Sequence, residues 1–429
     1  MIHAYANRKD AKGCATRPAM SAPSIDTVFI VGAGFSHHAG LPLTTNFTEA
    51  LLEARQFGRG PSRMLVDFLS DFIFHAFGHS RRARAKYWPD LEDLFTCVDL
   101  SANTGHHLGS RFSPADLRTV RRALLSRTIR MLEHHYELGR RKKTLEWRRL
   151  EEFFWEVNTQ RVGFISMNWD TVIERKLSIT RENLSLDYCC DALPAQIPDL
   201  PDPTDFASHK KFLAAIEQGQ CISVAALPLN RKQVENTTPI VKIHGSANWL
   251  YCDNCRQVFW FHPEQSSRIA DQLIRGDDWL RIQTFLAKRH RRTETSTLTD
   301  LVRRTHVTCL CSSRVALGTR IATFSFRKAL EFPMLQRSWF AAEEILRAAS
   351  HWIFIGYSLP AADYEFKYLL KRTQLSRSSE PQFVIISGGT KKDLRRTFDN
   401  YQRFFGRAVK RSCFFDCGLT REAIIAARG

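Results

Sequence analysis

The sequence predicts an α/β protein built on a doubly wound parallel sheet, with a helical insertion and a small cysteine-bearing module. Three observations predict it. Five short apolar runs, over 27–31, 161–167, 239–243, 351–355 and 382–386, are compact enough for buried strands. Their continuous rather than alternating hydrophobicity is what a sheet covered on both faces requires. Each run ends in Gly, Ser or Asn, and helical patterns lie between them, so small and polar residues line the ligand edge of the sheet. Two close cysteine pairs separate the third run from the fourth.

The first run, Thr27 to Val31, passes into Gly32-Ala33-Gly34-Phe35-Ser36-His37-His38-Ala39-Gly40-Leu41-Pro42. This reads as strand, tight turn and helix start, where glycines let the backbone approach a pyrophosphate and first-turn N–H groups bind it. Five residues separate Gly34 from Gly40, so the dinucleotide fingerprint G-x-G-x-x-G is absent. Alone, the stretch serves equally as a plain βα turn. Thr45 or Asn46 is positioned to cap a helix, with Glu49 completing a capping box, and Gly58-Arg59-Gly60-Pro61 breaks that helix. Phe68 to Phe77 is apolar at helical spacing, and Ser80 to Lys86 reads as a basic loop. Pro89-Asp90-Leu91-Glu92-Asp93 opens another helix with acids in its first turn, where they suit the dipole. Residues 114–157 form one or two amphipathic helices, with Leu124, Ile129, Leu132 and Tyr136 on one side and arginines on the other.

The second run ends at Asn168-Trp169-Asp170, before a helix from Thr171. Polar residues at that end of a parallel strand either belong to a site or cap the next helix. Residues 176–239 read as an irregular insertion rich in Pro and Asp, helical near Lys210 to Gln218. The third run leads to His244-Gly245-Ser246, and then to Cys252-Asp253-Asn254-Cys255 and Cys309-Leu310-Cys311. Paired cysteines are metal ligands in tetrahedral zinc sites, so Cys252, Cys255, Cys309 and Cys311 predict a zinc ribbon with an insertion around Lys288 to Arg292; buried free thiols are the alternative. Four thiolates leave no open position, which makes that zinc structural. An amphipathic helix over 338–350 precedes the fourth run, which ends in Gly356-Tyr357-Ser358-Leu359-Pro360 and Asp363. The fifth ends in Ser387-Gly388-Gly389-Thr390.

The 429 residues, 44% hydrophobic and 25% charged, describe an ordinary folded chain. No apolar run approaches the length of about 18 residues that a membrane span needs. Residues 1–24 lack the apolar core of a secretory signal and read as a disordered lead-in. The 11 cysteines, some of them lone (Cys97, Cys221), and the absence of a signal predict a reducing, cytoplasmic compartment. The net charge of +18 is concentrated in 118–149, with 11 Lys/Arg against 3 Asp/Glu, and in 371–429, with 13 against 5. Such faces suit nucleic acid or an acidic partner, and equally a solvated surface.

In this order, Gly32-Ala33-Gly34-Phe35-Ser36 with Gly40-Leu41-Pro42, then Asn168-Trp169-Asp170, His244-Gly245 and the cysteine pairs resemble the sirtuin superfamily. Gly356 to Pro360 with Asp363, and Asp90-Leu91-Glu92-Asp93-Leu94, resemble its bacterial branch in anti-phage defence. The resemblance covers roughly 25–395, as one Rossmann-like catalytic domain with a helical insertion at about 60–157 and the zinc-ribbon-like one at about 250–315; the basic 396–429 segment lies outside it. It implies NAD+ as a substrate. It places Gly32, Ala33 and Gly34 at the diphosphate, with Phe35, Ser36 and Gly40 in the same loop. Asn168 and Asp170 fall beside the nicotinamide ribose, and Gly356, Ser358, Asp363 and Ser387 toward the adenosine half. His244 becomes the base acting on a ribose hydroxyl or on water.

The chemistry of the residues is consistent with this. Breaking an N-glycosidic bond makes an oxocarbenium-like ribose and needs an oriented nucleophile. An asparagine holds a water, and a neutral histidine takes its proton. The Asp-Phe-Arg element that protein-deacylating sirtuins carry after Pro is replaced here by Leu43-Thr44-Thr45, which favours water over acyl-lysine. The expectation is an NAD+ glycohydrolase yielding nicotinamide and ADP-ribose, triggered in defence, homo-oligomeric, and gated by a partner such as a HerA-type ATPase or a short Argonaute. A deacylase or ADP-ribosyltransferase, and a non-catalytic nucleotide sensor that binds nucleic acid through the basic faces, are the alternatives.

Overall fold

In the computed structural model, the residues described are 25–53, 61–78, 88–180, 185–198, 214, 222–227, 237–287, 307–311, 316–319 and 335–428. The sequence expectations for 1–24, for Gly58 to Gly60, for the basic stretch Ser80 to Lys86, for the helix near Lys210 to Gln218 and for Lys288 to Arg292 lie outside the described residues, apart from residue 214.

The chain begins β1 (Thr27–Val31), α1 (Ala33–His37), α2 (Phe47–Leu52), α3 (Pro61–Phe77), α4 (Leu91–Thr104), α5 (Pro114–Lys142) and α6 (Leu145–Glu156). It continues β2 (Val162–Ser166), α7 (Val172–Thr180), β3 (Ser185–Asp187), β4 (Ala192–Gln196), β5 (Ile222–Ser223), β6 (Ala225–Ala226), β7 (Thr237–Lys242), β8 (Trp249–Tyr251) and β9 (Val258–Phe261). There follow α8 (Ser266–Gln272), α9 (Gly276–Ala287), β10 (Val307–Thr308), α10 (Gln336–Ala348), β11 (His351–Ile355), α11 (Tyr364–Leu375), β12 (Gln382–Ile386), α12 (Lys391–Phe405), β13 (Phe414–Phe415) and α13 (Arg421–Ala426). Among the described residues, no helix is long and apolar enough to cross a membrane.

Seven strands form one parallel sheet in the order β13-β12-β11-β1-β2-β7-β3. The chain builds from β1 toward β2 and β7, then crosses to β11 and β12 on the other side. The order therefore reverses at β1, beside β11, and in open parallel sheets ligands bind in the crevice outside such a point. Burial shows why the sheet is wound on both faces. Phe29 and Val31 of β1 join one apolar cluster, with α3 to α9 and α13, while Val28 and Ile30 join the other, with α10, α11 and α12. Successive side chains of a strand point to opposite faces, so a continuous apolar run needs a layer of helices on each.

The five expected strands are present, and two more were not foreseen. β3 and β13 are three and two residues long and form the two edges. β13 and α13 draw the chain beyond 396 into the sheet and its core, and the 395/396 boundary falls within α12. The region 114–157 is two helices, and the first is capped by a reciprocal Ser113–Asp116 pair with Pro114 at its first position. Its stripe is less segregated than expected, because Arg127 is fully buried and both Nε and Nη2 donate to the Leu51 carbonyl. The capping box expected around Thr45, Asn46 and Glu49 does not form. A 3-10 turn over Thr44–Asn46 leads into α2, and Asn46 makes no side-chain cap bond. That turn already satisfies the N–H groups of Asn46 and Phe47 with the carbonyls of Leu43 and Thr44, and α2 stops at Leu52, well before Gly58. The helix expected to open at Pro89 is α4 and starts at Leu91, which puts Pro89 outside it.

β4, β6, β8 and β9 make a separate four-stranded sheet, in which β8 and β9 form an antiparallel hairpin around the Cys252–Cys255 turn. β10 pairs with β5 and delivers Cys309.

The loops after β1 and β11 approach each other closely. A Cβ on Gly356 would lie 2.1 Å from the Phe35 nitrogen, and the residue's φ is +61°. Gly356→Ala is therefore expected to cost more than about 3 kcal/mol. Gly78→Ala, at φ +70° but with nothing within 4 Å, should cost about 1 kcal/mol. Denaturant unfolding of the two variants measures the difference.

Candidate active site

Because the strands are parallel, the loops after β1, β2, β7, β11 and β12 all emerge on one edge. The loop after β1 is held against the loop after β11. Gly32 N–H donates to Ile355 O (3.1 Å) and Gly34 N–H to Gly356 O (2.9 Å). Cβ atoms on Gly32 and Gly34 would sit 2.7 Å from Gly356 O and 2.8 Å from Gly356 Cα. The glycines expected to admit a pyrophosphate thus first admit another stretch of backbone. The N–H groups of Gly32, Gly34 and Phe35 all go to protein carbonyls, the last to Gly32 O at 2.9 Å. These three N–H groups are therefore engaged within the protein, and the first-turn donors of α1 are fewer than the glycine pattern alone suggests.

Asn168 completes this edge. Its Nδ2 donates to Gly32 O and to Ser36 Oγ, both at 2.8 Å. A carbonyl oxygen only accepts, so the amide orientation is determined and Oδ1 is the end available to a nucleophile. His244, buried, places Nδ1 3.2 Å from Met167 O. By the same reasoning the neutral ring carries its proton on Nδ1, and Nε2 holds the lone pair of a base. Asp170 is buried and accepts the Val172 N–H at 3.1 Å, so its side chain caps α7.

The remaining expected residues divide between this edge and the packing around it. Ala33, in the first turn of α1, is half-buried at the β1–β11 junction. Ser387 follows β12 and ties the chain's end to the site, its N–H donating to Phe415 O and its carbonyl accepting from Gly418. Ser358 is exposed, and its carbonyl accepts from Asn400. Phe35 points into the core against Phe153 and Phe154. Gly40, at φ +88°, packs against Gly139 and His135 of α5. Asp363 accepts the buried Tyr357 hydroxyl at 2.9 Å. These three are explained by packing.

Sequence reading missed four polar residues behind the site. Lys242 Nζ and Glu174 Oε1 are 3.4 Å apart, both side chains fully buried. Tyr188 donates to Glu174, and Asn248 donates to Tyr188. Burial pushes the Glu174 carboxyl up while Lys242 pulls it down, and burial raises the Tyr188 hydroxyl well above its usual value. A charge inside the apolar run Pro239 to Ile243 was the one available signal. His38 was also missed. It donates from Nδ1 to Gly34 O (2.9 Å) and accepts the Leu419 N–H at Nε2 (3.2 Å), joining the glycine loop to the C-terminal segment. Burial lowers its pKa, which suits the neutral ring this double role requires.

The four cysteines converge although 59 positions separate Cys252 from Cys311. Their sulfurs all lie within 4.8 Å of one another, with Cys252–Cys311 at 3.9 Å and Cys255–Cys309 at 3.5 Å. Zinc–sulfur bonds of about 2.3 Å in a tetrahedron put sulfurs about 3.8 Å apart. Disulfides need about 2.05 Å. The donor set fits zinc.

No protein-family model matches the chain, and no curated protein does. Among solved structures, the chain is similar to one from work on the mechanism and regulation of Sir2 enzymes, at 12% identity, with 95% of this chain and 92% of that one covered and a TM-score of 0.34. It is also similar to a Sir2–p53 peptide–NAD+ complex, at 13% identity, 94% and 90% coverage and TM-score 0.31. A third is Sir2Tm bound to a propionylated peptide, at 13%, 94% and 90%, and 0.30. Similarity at this level does not assign an activity, and the parallel sheet rests on its own strand pairing.

Purified full-length protein is expected to carry about one zinc per chain by elemental analysis, and Cys252→Ser to lose most of it. Equal metal in both would remove the cysteines from any metal site.

Proposed function

We propose that the chain is an NAD+ glycohydrolase that cleaves the nicotinamide–ribose bond with water. The observation that carries this reading is the placement of Asn168 and His244 on adjacent loops, the amide oriented by Gly32 O and Ser36 Oγ, and the imidazole oriented through Nδ1 by Met167 O, which sets Nε2 as the basic nitrogen. The two residues follow β2 and β7, on the same edge of the sheet as the glycine loop after β1. The motif resemblance of these positions supplies the nucleotide.

In this reading the C1′–N bond of the nicotinamide ribose breaks, and its electron pair leaves with nicotinamide, which departs neutral. Charge develops on C1′ and the ring oxygen. The water on Asn168 Oδ1 attacks C1′, and its proton passes to His244 Nε2 and then to solvent. The balance is NAD+ and water to ADP-ribose, nicotinamide and a proton. Orientation of the water accounts for much of the rate, because converting an encounter into a held geometry lowers the barrier by several kcal/mol. Asp170 acts as a cap that sets the loop. The replacement of Asp-Phe-Arg after Pro42 supports water as the nucleophile rather than an acyl-lysine. The cysteine cluster holds a structural zinc, as four sulfurs leave no site for substrate.

Unrestrained cleavage would exhaust the host's own NAD+. We therefore place the activity in anti-phage defence, gated by self-assembly or a partner. The exposed cations Lys391, Lys392, Arg395, Arg396 and Arg403 on α12 offer a surface for that contact.

Incubating NAD+ with wild type, Asn168→Ala and His244→Ala, and following products by chromatography, tests the reading. Nicotinamide and ADP-ribose are expected from the wild type, with each variant slowed by roughly 100-fold or more. NAD+ binding without turnover would instead identify a sensor, and a product appearing only with an acetylated peptide would identify a deacylase.

A further inference from the structure

We propose that the buried Lys242–Glu174 pair is a positioning device that sets the loop bearing Asn168, an inference that rests on the hydrolase reading above. Lys242 closes β7, two residues before His244. Its ammonium donates to the main-chain carbonyl of Asp170 and lies against Glu174 Oε1. His244 grips the same loop at Met167 O. The two grips bracket Asn168 and Trp169, one on each side. Between them, Trp169 O accepts from the Ala247 N–H at 2.7 Å, and upstream Ser166 O accepts from Ile243 at 3.3 Å. Four carbonyls, one at the end of β2 and three in the loop after it, are thus met by donors from the 242–247 stretch.

A buried ion pair is weak evidence for stability, because desolvation offsets the attraction and an apolar pair of similar volume often does as well. This pair is also incompletely satisfied: Glu174 Oε2 and the nearby Asn248 Oδ1 make no hydrogen bond. Its distinguishing contact is the Asp170 carbonyl, which no apolar residue would hold. Glu174 fixes the ammonium and is itself fixed, since Tyr188 donates to its Oε1 (3.2 Å) and Asn248 donates to Tyr188 (2.9 Å) and to Phe261 O (2.7 Å). The relay runs from the β8–β9 hairpin to the catalytic loop. Loss of the Lys242 grip frees the downstream end of the Asn168 loop, while the Gly32 and Gly356 contacts stay in place. The consequence falls on the chemical step and leaves nucleotide binding largely unchanged.

The test uses the full-length double variant Lys242→Met with Glu174→Gln, which strands neither charge. Thermal unfolding, kcat and KM for NAD+ are compared with wild type. A folded variant with kcat down roughly 10- to 100-fold and KM within about threefold is expected, because small misplacements of catalytic groups cost that much. Unchanged kcat, or a rise in KM alone, overturns the inference. If the double variant unfolds, Lys242→Arg is read by the same split; it keeps the charge beside Glu174 and displaces the contact with Asp170. Failure of the wild type itself to cleave NAD+ overturns the hydrolase reading and this inference with it, and is recognised before any variant is compared.

Discussion

The structure depends on one close approach, that of the backbone after β1 to the backbone after β11. Gly32, Gly34 and Gly356 meet there with no space for a Cβ, and the Gly34 N–H to Gly356 O bond joins the two loops. The sheet changes direction at this junction. The central strand fans out toward β2 and β7 on one side and β12 and β13 on the other only because two strand ends can lie this close. The carbonyl of Gly32 then serves as the anchor for Asn168. Packing therefore comes first, and the arrangement of the site follows from it.

A second constraint is the need to satisfy buried backbone. The loop after β2 is largely enclosed, and its carbonyls require donors. They are supplied by the stretch after β7, partly by main-chain N–H groups and partly by the side chains of His244 and Lys242. Using a histidine for that purpose fixes its tautomer and leaves the opposite nitrogen basic. In the hydrolase reading proposed above, the same contact that stabilises the loop prepares the base.

Much of this was legible in the sequence. The five apolar runs, the glycine turn, Asn168, His244 and the four cysteines are local patterns; the turn, Asn168 and His244 sit where the parallel sheet brings strand ends together, and the cysteines meet beside a separate antiparallel hairpin. What was not legible has physical causes. β3 and β13 are too short to show periodicity. Lys242 and Glu174 carry no local signal of being partners; only the fold puts them 3.4 Å apart with both side chains buried. Phe35, Gly40 and Asp363 belong to motifs expected to carry function, and their side chains or Cα atoms are taken up by the core, by α5 and by Tyr357. A motif shows which residues occur together, and does not separate those that touch a ligand from those that hold the loop. The C-terminal segment, read as a basic appendage, supplies an edge strand and binds His38 through Leu419, contacts that no local pattern encodes.

The central claim is that the edge between β1, β2 and β7 holds the scissile bond of a nicotinamide nucleotide. A structure of the chain with ADP-ribose bound tests it most directly. The account predicts the terminal ribose with its anomeric carbon between Asn168 Oδ1 and His244 Nε2, and the rest of the ligand along the β1–β11 crevice. Ligand seated away from this edge, or its failure to bind at millimolar concentration, would contradict it.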